Sequence, residues 1–277
     1  MDITLVIPPT APHTHTVVFL HGRGDNAEKF AASLTYSRDS GARTLRELFP
    51  SFKWVFPQAP VRACAARPAD RIRQWFDIWN VADFGDREAL QAAGLRESVA
   101  ALRTVLADEA AALGGRFDHV VLAGISQGAA TGVHALLNLD VPHSERDGVG
   151  RLAAFLGFSC RLPFPGRSLA ETRRVLGLEG VPHGDEVVRN TPVLLEHCVD
   201  DPLVLVANGR VLRDTLCRFG AQVGWCEYPD GGHWFNSPAG MDDAARFLRE
   251  HVPGIPPATV GPPSSRVGVD ADAMDLS

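Results

Sequence analysis

The chain has 277 residues, of which 45% are hydrophobic and 22% are charged, and its formal net charge at pH 7 is -6. This composition is typical of a globular protein with a large core, and the acidic balance argues against nucleic-acid binding, which favours a basic excess. No apolar run approaches the ~18 residues of a membrane-spanning helix, no signal peptide is predicted, and the five cysteines form no C-x-x-C pair. We therefore expect a cytoplasmic protein with reduced thiols and without stable membrane insertion.

Apolar runs typical of β-strands alternate with helix-like segments along most of the chain. Several runs are apolar at consecutive positions, which is the pattern of strands that are covered on both faces. This alternation predicts an α/β fold, a single domain at residues 1–252 in which a mostly parallel sheet carries helices on both faces. The strands are predicted at residues 16–20, 53–56, 119–125, 152–158, 193–196 and 223–228.

Two helices are clear in the sequence. Between about residues 88 and 113, leucine and valine side chains recur with the spacing of one apolar stripe, and two glycines end the segment. The last helix follows Pro238 and ends near residue 251.

Three segments interrupt the alternation of strands and helices. Residues 140–150 are polar and are expected to form a surface loop. Residues 161–191 contain several prolines and a short helical stretch, and they form either a lid over the functional site or a plain surface insertion. The tail at residues 253–277 is rich in proline, glycine and serine and has few side chains to bury, so we expect it to be disordered.

A candidate nucleophile lies in the G-I-S-Q-G pentapeptide at residues 124–128. The pentapeptide stands between a predicted strand and a helix-like stretch, which is the context of a nucleophile elbow. The chain must reverse sharply at Ser126, and Gly124 and Gly128 remove side chains where the strand and the helix approach each other. The serine oxygen would then lie beside a helix N-terminus, whose free N–H groups favour a developing negative charge.

A serine nucleophile needs a base that takes its proton, and the base needs a carboxylate that fixes its tautomer. In hydrolases with a G-x-S-x-G elbow, the acid and the histidine follow the serine in that order, each in a loop after a strand. His233, in a glycine-rich loop after the last strand, is the predicted base. Asp201, in the loop after the preceding strand, is the predicted acid. Because it precedes a proline it could instead cap a helix, and Asp200 or Asp230 would then supply the carboxylate.

The tetrahedral intermediate of acyl transfer needs two N–H donors. One is the backbone N–H of Gln127, the residue after the serine. The other is predicted at Arg23, within a His-Gly-x-Gly turn that follows the first predicted strand. A phosphate-binding loop is the alternative interpretation of this turn, but neither G-x-x-x-x-G-K-S/T nor G-x-G-x-x-G is present. No metal or cofactor is predicted.

Further motifs accompany these residues in a fixed order. They are F-L-H-G-R-G-D at residues 19–25, F-P-Q-A-P-V-R at 56–62, W-F-D-I at 75–78, G-I-S-Q-G at 124–128, D-P-L-V at 201–204 and His233. Over about residues 15–251 the chain resembles the acyl-protein thioesterase / phospholipase–carboxylesterase family of α/β-hydrolases. The resemblance implies a single-domain α/β-hydrolase with Ser126 as nucleophile, Asp201 as acid and His233 as base.

The resemblance also implies roles outside the triad. It makes Arg23 and Gln127 the oxyanion donors. It places Trp75 and Phe76 in a loop beside the acyl channel, where we expect them to bind substrate.

The chain departs from the family pattern near these positions. The turn before the acid reads H-C-V-D-D at residues 197–201, where the family usually has H-G-x-x-D. Arg67, Arg71 and Arg73 lie in a stretch that would be more apolar in a purely lipid-binding loop. A cationic rim steers and holds anions, so we expect these arginines to bind a negative group of the substrate. A solvated basic loop without a ligand is the alternative.

The residues predict a serine hydrolase that cleaves a thioester or carboxylic ester of a small or medium acyl group through an acyl-enzyme. Its substrate is expected to be a small molecule or an acyl-protein, and the oligomeric state is left open. One alternative is a biosynthetic hydrolase that acts on a polyketide-like or acid-bearing intermediate. Another is a non-catalytic receptor with the same fold, although such a receptor usually lacks a member of the triad.

Overall fold

The computed structural model of the chain describes residues 4–141 and 150–255. The polar loop predicted at residues 140–150 and the disordered tail predicted at residues 253–277 therefore lie mostly outside the described residues. The strands are β1 (Thr4–Ile7), β2 (His15–Leu20), β3 (Phe52–Pro57), β4 (Val61–Cys64), β5 (Arg67–Arg73), β6 (Val120–Ile125), β7 (Ala154–Phe158), β8 (Val193–Cys198) and β9 (Val223–Tyr228).

A seven-stranded sheet has the order β1-β3-β2-β6-β7-β8-β9. The edge strand β1 is antiparallel to β3, and every other neighbouring pair is parallel. Strands β4 and β5 form a separate antiparallel hairpin. Because the carboxyl ends of parallel strands meet at one edge, the loops after β2, β6, β7, β8 and β9 all reach the same side of the sheet.

The predicted strands are all present in this sheet, which confirms the mostly parallel α/β fold. The edge strand β1 and the β4–β5 hairpin were not predicted. β1 has only four residues, and the hairpin is rich in arginine and mostly exposed, so neither has the apolar run that marks a strand covered on both faces.

Helices cover both faces of the sheet. The stretch at residues 95–106 packs its predicted apolar stripe against one face, together with the four helices that follow it. The first two helices and the last helix pack on the other face. The helices are α1 (Ala27–Ser33), α2 (Leu45–Leu48), α3 (Gln91–Ala112), α4 (Gln127–Asn138), α5 (Leu169–Leu176), α6 (Glu186–Asn190), α7 (Val206–Arg218) and α8 (Ala239–His251).

The segment at residues 161–191 packs mainly against the helical layer. It contains α5 and α6, and the buried side chain of Leu176 joins the core beside α3 and α4. Arg173 fixes the segment to α4, because its Nε donates to the carbonyl oxygen of Leu137 at 2.6 Å. Arg161, at the start of the segment, is the residue of this stretch that faces the cavity described below.

Candidate active site

Ser126 stands at the sharp turn between β6 and α4. Its backbone has φ 55° and ψ -124°, a conformation that a residue with a side chain rarely adopts. The turn is held by the Ser126 N–H, which donates to the carbonyl oxygen of Phe158 at 2.9 Å, and by its own carbonyl, which accepts from Ala130 at 3.0 Å. The strained backbone therefore presents the serine side chain at the carboxyl edge of the sheet.

The two glycines of the pentapeptide are required by close backbone approaches. A Cβ at Gly124 would lie 2.6 Å from the backbone nitrogen of Ala129. A Cβ at Gly128 would lie 2.5 Å from the carbonyl oxygens of Leu20 and His21. Helix α4 can therefore pack tightly against β2 and β6 only because both positions lack side chains.

His233 and Asp201 meet across two neighbouring loops. The Nδ1 atom of His233 lies 2.7 Å from Oδ2 of Asp201. The other carboxylate oxygen accepts hydrogen bonds from the backbone N–H groups of Leu203 and Val204 at 2.8 and 2.9 Å. This arrangement orients the carboxylate toward the imidazole.

Asp201 is buried, and His197 lies behind it. The Nε2 atom of His197 is 2.7 Å from the carbonyl oxygen of Val204 and 3.4 Å from Oδ2 of Asp201. Burial opposes ionisation of the carboxyl group, yet the hydrogen bonds from His197, His233 and the two backbone N–H groups lower the pKa of Asp201 well below its ordinary value. The group is therefore an anion throughout the neutral pH range.

The alternative acids lie elsewhere in the same two loops. Oδ1 of Asp200 accepts a hydrogen bond from the backbone N–H of Gly232 at 2.8 Å, so this carboxylate ties the acid loop to the histidine loop. Asp230 contributes its backbone carbonyl, which accepts from the side chain of Asn236 at 3.0 Å. Of the three aspartates, the structure brings Asp201 to the imidazole of His233.

Cys198, where the family usually has glycine, packs against a position that has no side chain. A Cβ at Gly231 would lie 2.6 Å from the Cys198 sulfur, and Gly231 has φ 125°. The thiol is buried, and burial together with the nearby carboxylates raises its pKa to about 11. The same desolvation raises the pKa of Cys160 above its ordinary value. Neither thiol therefore has the thiolate character of a nucleophile.

The turn at residues 22–24 lies beside the nucleophile. A Cβ on Gly22 would be 3.7 Å from the Cβ of Ser126. Among residues 4–141 and 150–255, no hydrogen bond is formed by the backbone N–H groups of Arg23 and Gln127, whereas Gly24 donates to the carbonyl oxygen of Arg73 at 2.7 Å. Within the described residues, the backbone N–H groups of Arg23 and Gln127 thus have no intramolecular acceptor.

Trp75 and Phe76 are fully buried and hold this part of the site in place. The side chain of Gln127 accepts from the backbone N–H of Trp75 at 2.9 Å and donates to the carbonyl of Phe76 at 2.8 Å. The Trp75 indole donates to the carbonyl oxygen of His21 at 2.8 Å. The rings are not in the lining of the cavity beside Ser126, and their contacts with Gln127 and His21 support the turn instead.

A cavity of about 530 Å³ opens beside the serine and the histidine. Its walls combine apolar side chains with two arginines, Arg23 and Arg161, and one carboxylate, Asp25. The hairpin arginines Arg67, Arg71 and Arg73 are not among the lining residues. The remaining lining residues are Gly22, Ile78, Val81, Ala82, Phe84, Ile125, Ser126, Gln127, Pro202, Leu203, Val204, His233 and Trp234.

Most of the apolar wall and Arg161 were not predicted from the sequence. One signal was available for Arg161, because it follows the predicted strand at residues 152–158 and so had to lie at the carboxyl edge of a parallel sheet. Val81, Ala82 and Phe84 lie in a loop whose position depends on tertiary contacts.

Comparison with known proteins places the chain in a family. The model of the phospholipase/carboxylesterase family matches residues 1–252. The chain belongs to this family. The predicted family, the α/β-hydrolase fold and the serine esterase or thioesterase class are therefore confirmed.

Individual relatives agree with this assignment. The chain is 28% identical to acyl-protein thioesterase 1 of Gibberella zeae, over 90% of this chain and 95% of that protein. Its structure is similar to acyl-protein thioesterase 2 of Zea mays, with a TM-score of 0.69 and 25% identity over 91% of this chain and 100% of the other. It is also similar to the structure of esterase PE8, with a TM-score of 0.65 and 26% identity over 89% and 97% of the two chains.

In residues 4–141 and 150–255, no group of three or more His, Cys, Asp or Glu side chains could hold a metal ion. No helix within the same ranges is long and apolar enough to cross a membrane.

Proposed function

We propose that the protein cleaves a thioester or carboxylic ester of a small or medium acyl group through an acyl-enzyme at Ser126. The observation that carries this proposal is the shared cavity of Ser126 and His233, together with the 2.7 Å contact between His233 and Asp201. The family supports the reaction class, and the contacts of these side chains support the individual roles.

The acylation step begins with proton transfer to the histidine. Asp201 accepts the Nδ1–H of His233, which leaves the Nε2 lone pair free to take the proton of the Ser126 hydroxyl. The serine oxygen then attacks the carbonyl carbon, and the N–H groups of Arg23 and Gln127 stabilise the resulting oxyanion. When the tetrahedral intermediate collapses, the imidazolium gives its proton to the leaving thiol or alcohol, and the acyl group remains on the serine.

The deacylation step repeats this chemistry with water. His233 takes a proton from a water molecule, whose oxygen attacks the acyl carbon of the ester at Ser126. Collapse of the second intermediate releases the carboxylic acid and returns the proton to the serine oxygen. The negative Asp201 stabilises the imidazolium in both steps, because its lowered pKa keeps it ionised.

The substrate is proposed to be a small molecule or an acyl-protein, and the proposed compartment is the cytoplasm. The cavity volume of about 530 Å³ and its apolar wall suit an acyl chain of moderate length. The thioesterase names of the relatives favour a thioester, whereas the esterase name of one structural neighbour favours an oxygen ester.

A fluorophosphonate probe and a matched substrate pair test this proposal. The probe reacts covalently only with an activated serine, so we expect stoichiometric labelling of the wild-type chain and none of Ser126→Ala. The kcat/KM values for a thioester and for an oxygen ester of the same hexanoyl group then show which substrate class the enzyme prefers. An unlabelled wild-type protein that hydrolyses neither ester would contradict the proposal and favour the receptor alternative.

A further inference from the structure

Arg161 has an unusual position for a cation. Its side chain is buried, with 6% of the residue exposed, and it lines the cavity that also contains Ser126. The residue follows β7 at the carboxyl edge of the sheet, where the loops of the site converge. A guanidinium in such a place is expensive to desolvate unless it has a partner.

Neighbouring side chains fix the guanidinium without neutralising it. Its Nη2 donates to the side-chain oxygen of Gln91 at 2.7 Å. Its Cζ lies 4.0 Å from the centre of the Phe84 ring, and Gln91 in turn donates to the Phe84 carbonyl at 2.9 Å. A planar guanidinium stacked on a ring keeps its in-plane N–H groups available to an acceptor.

The charge of Arg161 has no carboxylate partner within the described ranges. In residues 4–141 and 150–255, none of the ion pairs within 4 Å includes Arg161, and Gln91 is its one hydrogen-bond acceptor. Asp25 lines the same cavity and Glu88 acts on Arg161 electrostatically, but neither forms such a pair. Burial lowers the pKa of Arg161 to about 10, so the group is still a cation at neutral pH.

The second cavity arginine is engaged differently. Nε of Arg23 donates to the side chain of Gln74 at 2.9 Å, and its Nη2 lies 3.5 Å from the Cys64 sulfur. These contacts direct the Arg23 guanidinium toward the β4–β5 hairpin. Arg161 is therefore the buried cation of the cavity, whereas the guanidinium of Arg23 is held at the hairpin.

We infer that Arg161 binds an anionic group carried by the ester or thioester substrate, away from the scissile bond. This inference rests on the proposed function, because it names a substrate class for the same cavity. An acyl group or a leaving group that ends in a carboxylate would pair with the guanidinium while its apolar part contacts Phe84 and the neighbouring wall. Charge-assisted hydrogen bonds of this kind discriminate strongly against a neutral analogue.

The test compares charged and neutral esters of equal length. Mono-4-nitrophenyl adipate carries a carboxylate on the acyl side, 4-nitrophenyl hexanoate is its neutral counterpart, and 4-carboxyphenyl hexanoate carries the charge on the leaving group. For Arg161→Met we expect kcat/KM to fall about 10- to 100-fold, mainly through KM, for one of the charged esters. The neutral ester should change by less than about threefold, because it makes no contact with the charge.

Two further variants separate anion binding from a purely structural role. Arg161→Lys keeps the charge, so it should retain part of the preference for the charged ester. Arg167→Met is the matched control, since Arg167 belongs to the same segment and stacks on Phe164 at 5.4 Å but does not line the cavity. Parallel losses for charged and neutral esters in Arg161→Met, or no loss in either, would overturn the inference.

A binding measurement keeps this inference separate from the proposed function. In Ser126→Ala, titration calorimetry with whichever charged ester shows the larger loss in the kinetic test should give a Kd that rises at least about tenfold when Arg161→Met is added. If the wild type hydrolyses the neutral and the charged esters with equal kcat/KM, only the inference about Arg161 is contradicted. If the charged ester binds in a way that depends on Arg161 but the wild type hydrolyses none of the esters, only the proposed function is contradicted.

Discussion

The cavity has two sides that are built in different ways. On the catalytic side, Asp201 has 2% of its surface exposed and accepts hydrogen bonds from the backbone and from His233. On the recognition side, Val81 lines the cavity with 55% of its surface exposed, and Arg161 is buried against the ring of Phe84. The first side is held by backbone hydrogen bonds within and between its loops, whereas the second is held by side-chain contacts between segments that are distant in the sequence. Chemistry and substrate choice therefore depend on different parts of this molecule.

Removing the nucleophile should have the largest effect on the catalytic side. We expect Ser126→Ala to lower kcat by about 10⁴–10⁶ while the melting temperature stays near that of the wild type. His233→Ala should be nearly as inactive, and the double variant no worse than either single variant, because the residues act as one unit. Steady-state kinetics and thermal unfolding measure both results. If Ser126→Ala kept a tenth of wild-type turnover, this serine would be excluded as the nucleophile.

The two adjacent aspartates offer a sharper test of the same side. Asp201→Asn should lower kcat by about 10⁴, because the amide can favour the wrong tautomer of His233 and cannot stabilise the imidazolium. Asp200→Asn should have a much smaller effect, since the Asp200 carboxylate accepts from the backbone N–H of Gly232 rather than from the imidazole of His233. The measurement is kcat for both variants under identical conditions. A larger loss of kcat in Asp200→Asn than in Asp201→Asn would assign the acid to Asp200.

The order of motifs predicted which side chains the structure brings together on the proposed catalytic side, because their placement follows from the backbone. A serine between β6 and α4, flanked by glycines, can adopt only a sharp turn, and the loops after parallel strands must meet at one edge. The sequence favoured Asp201 but left Asp200 open, because adjacent residues differ only in where the loop directs each side chain, and the structure places the Asp201 carboxylate beside His233.

The recognition side could not be predicted in the same way. Arg161 faces the cavity because of its contacts with Gln91 and Phe84, which are distant in the sequence. An anion site was predicted at the arginines of the β4–β5 hairpin because they lie close together in the sequence. In the structure Arg67 pairs with Asp70 at 2.9 Å, and the hairpin is mostly exposed outside the cavity.

Gln127 ties the serine turn to the backbone of Trp75 and Phe76, and its removal should give an intermediate effect. Gln127→Met keeps the backbone N–H but removes the side-chain hydrogen bonds to Trp75 and Phe76. We expect a loss of about 1–3 kcal/mol in the free energy of unfolding for the buried groups left without partners. Displacement of the oxyanion donor should also lower kcat by about 10–100-fold. Urea unfolding and steady-state kinetics measure the two effects. An unchanged free energy of unfolding would contradict the supporting role of the Gln127 side chain.

The smallest effect is expected at the hairpin. In the double variant Arg67→Met and Arg71→Met, kcat/KM for mono-4-nitrophenyl adipate and for 4-nitrophenyl hexanoate should each change by less than about twofold, because exposed charges outside the cavity contribute little. The measurement is kcat/KM with both esters for the hairpin double variant and for Arg161→Met under the same conditions. A selective loss with the adipate ester would restore the hairpin as the anion site.

The burial of Arg161 also determines how the protein responds to its ionic surroundings. Mobile ions weaken interactions between exposed charges beyond about 8 Å at physiological ionic strength, but they reach buried pairs poorly. The guanidinium of Arg161 is covered by Phe84 and by the walls of the cavity, so a carboxylate bound to it would be little screened by mobile ions. Selection for a charged substrate at this position should therefore be nearly as strong in concentrated salt as in dilute buffer.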